Sequence, residues 1–172
     1  SDLLTTRWQH SSDKKGQGLY GEGNHNLSVG DVNGDGLDEI IYGSSALKPD
    51  GTLLYRTGFG HGDAMHLSDL DPDNDGLEVY GVHEEKNNQY SEEMRNQNGI
   101  VLWGTTQENA GYVDNGRGLA ADIDSTSRGF EMWSGTSGGI RTAKGTLLAN
   151  TSPSVNFRIY FDGDLQDELL DA

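Results

Sequence analysis

Four short segments of this chain alternate oxygen-bearing side chains closely enough to wrap a cation. The first reads Asp31-x-Asn33-x-Asp35-Gly36-x-Asp38-Glu39. Calcium is a hard ion that takes roughly six to eight oxygens, and an Asp-x-Asx-x-Asp run turns three side chains toward one point. Gly36 permits the sharp bend, the backbone carbonyl at Leu37 can add a ligand, and Asp38 or Glu39 closes the shell. The second segment, Asp69-x-Asp71-x-Asp73-x-Asp75-Gly76-x-Glu78, is one residue longer. A third keeps Asp122, Asp124 and Glu131 but places Ser125 to Arg128 between them. A fourth, Asp162-Gly163-Asp164-x-x-Asp167-Glu168, has Tyr160 where Asp31 stands in the first. A metal-free network of Asx turns is the alternative. Carboxylates packed this densely repel one another unless a cation neutralises them, which favours structural calcium.

A second group has a different composition. Counting back equally from Asp31, Asp69 and Asp122 puts His25, Asp63 and Gly116 in register. His61 lies two residues before Asp63, on the same side of an extended segment. Glu84 follows His83 at the end of an apolar run, and Arg117 sits beside Gly116. If the segments that follow these positions lie side by side, two histidines, two carboxylates and an arginine share one opening. Read singly, each histidine can equally be a packed or surface residue, and Arg117 can pair with a neighbouring carboxylate.

The elements that must hold these residues repeat. Each loop precedes an apolar run (Glu39 to Gly43, Leu77 to Tyr80, Phe130 to Trp133) and, further on, a turn at Asp50-Gly51, Asn98-Gly99 or Lys144-Gly145. The repeats span 24–58, 61–106, 112–150 and an incomplete 153–172, with 1–23 as the end of a preceding unit and a connection. A period of about 40 to 50 residues matches a propeller blade of about four strands. The expected fold is all-β: four-stranded antiparallel blades of a β-propeller, three to four of them here, with residues 1–172 part of a single domain. Arg7-Trp8 is expected to end an earlier blade, and further blades are expected from polypeptide outside this chain, because open sheet edges invite association. In such a ring the first strand of each blade lines the axis, so His25, Asp63 and Gly116 would ring its mouth. The 25 glycines and 3 prolines suit many tight turns. A formal charge of −16 argues against nucleic acid as a partner. No apolar run is long enough to cross a membrane, and without cysteine no disulfide contributes.

Several motifs resemble a known family. Gly23-Asn24-His25-Asn26-Leu27-Ser28, Gly60-His61-Gly62-Asp63-Ala64-Met65-His66, Gly116 to Asp124, and Phe161-Asp162-Gly163-Asp164 are similar to polysaccharide lyase family 11. That resemblance implies a secreted, eight-bladed, calcium-rich propeller that cleaves the rhamnogalacturonan I backbone of pectin by β-elimination. It implies that His25, His61, Asp63 and Glu84 hold a calcium ion in the active cleft. For the elimination itself, Arg117 is this chain's candidate as base or carboxylate clamp, and a lysine or tyrosine from a blade outside this chain is the equal alternative for the base. The remaining blades of the same protein and the pectic polysaccharide are the implied partners. The loops also resemble the FG-GAP repeats of integrin-type propellers, which bind without catalysis. Glycoside hydrolysis, which needs a carboxylate pair across the scissile bond, is a third reading.

Overall fold

The computed structural model describes residues 3–136 and 138–171. Strands β1 (Leu27–Gly30), β2 (Glu39–Tyr42), β3 (Ser45–Leu47) and β4 (Leu53–Arg56) form the first sheet. The second contains β5 (Gly62–Ser68), β6 (Glu78–His83), β7 (Tyr90–Arg95) and β8 (Val101–Thr106). A one-turn helix, α1 (Gln107–Ala110), leads to the third sheet. That sheet is β9 (Gly118–Ala121), β10 (Glu131–Ser134), β11 (Ile140–Arg141) and β12 (Leu147–Ala149). A final pair, β13 (Phe157–Ile159) and β14 (Glu168–Leu170), completes the described residues. Every pairing is antiparallel between neighbours in sequence, so each sheet is a simple meander.

The same turn recurs in each four-stranded sheet. Gly51, Gly99 and Gly145 donate their N–H to Lys48, Asn96 and Thr142 at 2.9, 2.9 and 2.8 Å. Their φ angles of 82°, 78° and 76° fall in the left-handed region, where any other residue is strained. These glycines therefore set the return from the third strand to the fourth.

Hydrophobic cores lie between successive sheets. Val32, Ile41 and Ala46 of the first repeat meet Met65 and Val79 of the second. Leu70, Tyr80, Val82 and Met94 meet Ala120, Met132 and Ala143. Leu119, Ala121 and Trp133 meet Val155 and Leu169. At about 1.5 to 3 kcal/mol per large apolar side chain, these layers stabilise the order of the sheets as well as each sheet. Strand β6 is covered on both faces and is buried at all six positions. The first strands β1, β5, β9 and β13 are neighbours in that order. The loops are bonded in series too: Leu77 N–H donates to Val32 O, Phe130 N–H to Leu70 O, and Asp167 N–H to Asp122 O.

One buried ionic cluster also crosses between sheets. Arg95, fully buried on β7, donates to Glu93 on its own strand and to the carbonyl of Gly43 between β2 and β3. Its Nε donates to Tyr55 Oη at 3.2 Å. No described residue before Leu27 lies in a strand, Arg7 and Trp8 included. Trp8 lies against Gly51 and donates its indole N–H to Pro49 O at 3.0 Å, as Trp103 of the last strand β8 lies against Gly145 and donates to Ala143 O at 3.0 Å.

Candidate functional site

The residues with chemical potential gather where the first strands begin. Asn26 donates its amide to Met65 O at 2.9 Å, tying the start of β1 to β5. His61 donates from Nδ1 to Gly23 O at 2.7 Å, because a carbonyl can only accept. That bond places a proton on Nδ1 and turns Nε2 toward Glu84, anchoring the ring as second partners anchor metal-binding histidines. Glu84 N–H donates to His61 O at 3.2 Å, holding the end of β6 against the same segment. Gly62 makes this approach possible, since a Cβ there would stand 2.1 Å from Val82 O.

His61 Nε2 is 3.3 Å from Glu84 Oε2, and His25 Nε2 is 4.0 Å from Asp63 Oδ1. The two imidazoles meet edge to face with centroids 5.1 Å apart. One ligand atom from each of His25, His61 and Glu84 falls within 4.8 Å of the others. A Cβ built on Gly116 would lie 3.4 Å from Glu84 Oε1 and 3.6 Å from Asp63 Oδ2, so both carboxylates border that glycine. The register count placed His25, Asp63 and Gly116 together, and they are together. Asp63 and Glu84 supply hard oxygens suited to calcium, while imidazole is a less usual ligand for it.

Arg117 is exposed on the wall of an open cleft of about 510 Å³ that His25 and Asp63 also line. Its Nη1 donates to Asn156 Oδ1 at 3.3 Å, and no ion pair engages it among the described residues. The guanidinium therefore faces the cleft with its charge available to an incoming carboxylate. Asn156 is in turn held by Asp171, which accepts from its amide at 2.6 Å.

The carboxylate loops repeat one internal bond. Glu39, Glu78, Glu131 and Glu168, each opening a second strand, accept a backbone N–H from the loop start at 3.2, 3.0, 2.9 and 2.6 Å. Burial raises the carboxyl pKa of Glu39, Glu78 and Glu131, and neighbouring aspartates push the same way. Glu78 Oε1 and Glu131 Oε1 are buried without a hydrogen-bond partner. In the first loop Asp31 accepts N–H bonds from Gly34, Asp35 and Gly36 at 2.8, 3.0 and 2.8 Å, and the Gly36 bond chiefly lowers its pKa. Asn33 Oδ1 accepts from Asp35 N–H at 2.9 Å, and Leu37 and Asp38 stay exposed. In the fourth, ligand atoms of Asp162, Asp164 and Glu168 lie within 4.8 Å of one another. In the third, Asp124 is occupied by Thr126 and Ser127, while Asp122 N–H reaches Asp167 of the next repeat at 2.9 Å. In the second, Asp69 is exposed, and Asp71 and Asp73 are paired with basic side chains.

The family model for the C-terminal domain of rhamnogalacturonan lyase family 11 matches residues 1–172. The chain belongs to this family. The rhamnogalacturonan exolyase YesX of Bacillus subtilis (strain 168) is 49% identical over 178 residues. The rhamnogalacturonan endolyase YesW of the same strain is 49% identical over 172 residues. Each alignment covers 98% of this chain but only 28% and 27% of the relative. The chain thus spans a little over a quarter of the relatives it matches. A solved Bacillus licheniformis rhamnogalacturonan lyase of family PL11 superposes with a TM-score of 0.90 at 52% identity, covering 98% of this chain and 28% of that one. The YesW structure gives 0.87 at 48% identity, covering 96% and 28%.

Sequence reasoning missed two parts of the family member's cleft. His66 lines it, donating from Nε2 to Gly118 O at 3.1 Å, and burial lowers its pKa. Asn156 lines it from the fourth repeat. The spacing that links His25 to Asp63 could have flagged the segment before β13, but an asparagine there carries no chemical signal by itself.

Proposed function

We propose that this chain carries the active cleft of a secreted, calcium-dependent rhamnogalacturonan lyase whose sheets are blades of a β-propeller. The observation that carries the proposal is the meeting of His25, His61, Asp63, Glu84 and Arg117 at one opening. The propeller reading is supported by the successive four-stranded meanders with their first strands side by side. Secretion follows from the substrate, a cell-wall polymer too large to be imported intact.

β-Elimination at galacturonate removes the C5 proton and expels the sugar on O4. His25, His61, Asp63 and Glu84 would hold calcium, and the anchored His61 ring and the paired carboxylates fit that role. Bound calcium supplies positive charge next to the substrate carboxylate, which acidifies the C5 proton. Arg117, which lines the same cleft, clamps the substrate carboxylate and offsets charge that develops as the proton leaves. A guanidinium is a poor base, so its work is clamping, and the base comes from elsewhere in the protein. The first carboxylate loop, from Asp31 to Glu39, would hold structural calcium and shape the sheet that follows it. The cleft draws its lining from the starts of β5, β9 and β13, which favours a polymer lying across it and endo cleavage.

Ultraviolet absorbance on rhamnogalacturonan tests this in the intact protein, since only elimination creates an unsaturated uronate. Absorbance rising with viscosity falling early supports an endolyase. New reducing ends without absorbance would mean hydrolysis, and binding without product would mean a non-catalytic propeller.

A further inference from the structure

We propose that the second carboxylate loop is closed by two cations of the protein itself, Lys144 and Arg128, in place of calcium. Lys144 Nζ lies 2.7 Å from Asp71 Oδ2 and 3.2 Å from Asp73 Oδ2. Arg128 Nε lies 2.8 Å from Asp73 Oδ1. Asp71 also accepts from Asn74 Nδ2 at 2.7 Å and from Asp73 N–H at 3.3 Å. All four oxygens of these two carboxylates therefore have donors. The first loop differs, because Asp31 accepts only backbone N–H groups there.

The repeat shows that both cations are departures at matched positions. Lys144 occupies the place that Asp50 and Asn98 hold in the other two turns, which share its backbone hydrogen bonds. Arg128 precedes Gly129, as Asp35 and Asp75 precede Gly36 and Gly76, three glycines with φ of 88°, 86° and 89°. The third repeat thus carries a cation at two places where its predecessors carry none, and both reach back to the second loop. Asp71 is only 2% exposed, so its charge requires a partner. The joint between the second and third sheets then holds without calcium. Glu78 Oε1, at the end of the same loop, is buried without a hydrogen-bond partner.

The contrast rests on the calcium reading of the first loop, and the test separates the two. Calcium bound per molecule is measured on the intact protein, dialysed at fixed millimolar calcium, for the parent and for D35N, D71N and K144M. The expected result is that D35N loses one ion, D71N loses none, and K144M gains one. Loss of one ion in D71N, or no gain in K144M, overturns the proposal. Should D71N fail to fold, D73N replaces it, since that side chain is about half exposed. A parent that holds no calcium at all refutes the first-loop reading, and the gain in K144M then decides the lysine proposal alone.

Discussion

Arg95→Met in the intact protein removes the cation from a site with no access to water. Arg95 and Glu93 are both 0% exposed, and Glu93 Oε2 already lacks a hydrogen-bond partner. The substitution leaves the Glu93 carboxylate buried beside His83 Nε2 at 3.4 Å and strips Gly43 O and Tyr55 Oη of a donor. Breaking a buried pair by removing one partner costs about 3 to 5 kcal/mol, most of it the uncompensated charge. Arg95→Met with Glu93→Gln removes that charge, and the double variant is expected to recover about 2 kcal/mol of the loss. Because Arg95 joins the second sheet to the turn of the first, the weakening should be local before it is global. Hydrogen exchange resolves this: amides of β3 and β7 should exchange faster in the single variant, with those of β10 least affected. The His25 side of the cleft belongs to the first sheet and Glu84 to the second, so calcium affinity at the cleft should fall as well. A single variant that costs under about 1 kcal/mol, or a double variant whose cost is the plain sum, would refute the account of a buried charge held by Arg95.

Asp63→Ala should abolish lyase activity with the melting temperature nearly unchanged, whereas Asp35→Ala should lower melting and leave activity in proportion to folded protein. Full turnover by Asp63→Ala would sink the cleft-calcium mechanism. Chelation should lower the melting temperature of the intact protein by mass action, and an unchanged curve after verified metal removal counts against structural calcium. His66 has its pKa lowered by burial, so the unfolded state takes up its proton first as pH falls. Its contribution to stability is complete above the ordinary histidine pKa of about 6.5 and declines as pH drops below that value toward the folded-state pKa. His66→Gln should remove that part of the slope in urea melts across this range, and an identical slope would refute it. Gly62→Ala should cost about 1 to 3 kcal/mol and reduce calcium binding at the cleft, because its Cβ would meet Val82 O at 2.1 Å. Wild-type stability in that variant would show that β5 can shift freely.

What the sequence determined by itself was periodic and local. An Asp-x-Asx-x-Asp run with its glycine encodes a loop within nine or ten residues, and Asp50-Gly51, Asn98-Gly99 and Lys144-Gly145 encode the turns that follow. Equal spacing from those loops was enough to bring His25, Asp63 and Gly116 into register, because each repeat enters its first strand at the same point. Tertiary structure decided whatever depends on partners far along the chain. The segment Tyr90–Arg95, with two glutamates and an arginine, reads as a solvated edge, yet five of its six positions are buried. Its arginine finds Gly43 and Tyr55 at separations of 52 and 40 residues. Lys144 reads as an ordinary turn residue until the third sheet sets it against Asp71, 73 residues earlier. Arg117 could have paired with any carboxylate on a chain of charge −16, but packing gave it an amide neighbour and left its charge to the cleft. A charge buried between sheets is tolerable only where geometry supplies its counter-ion, and that geometry exists only once the sheets have stacked.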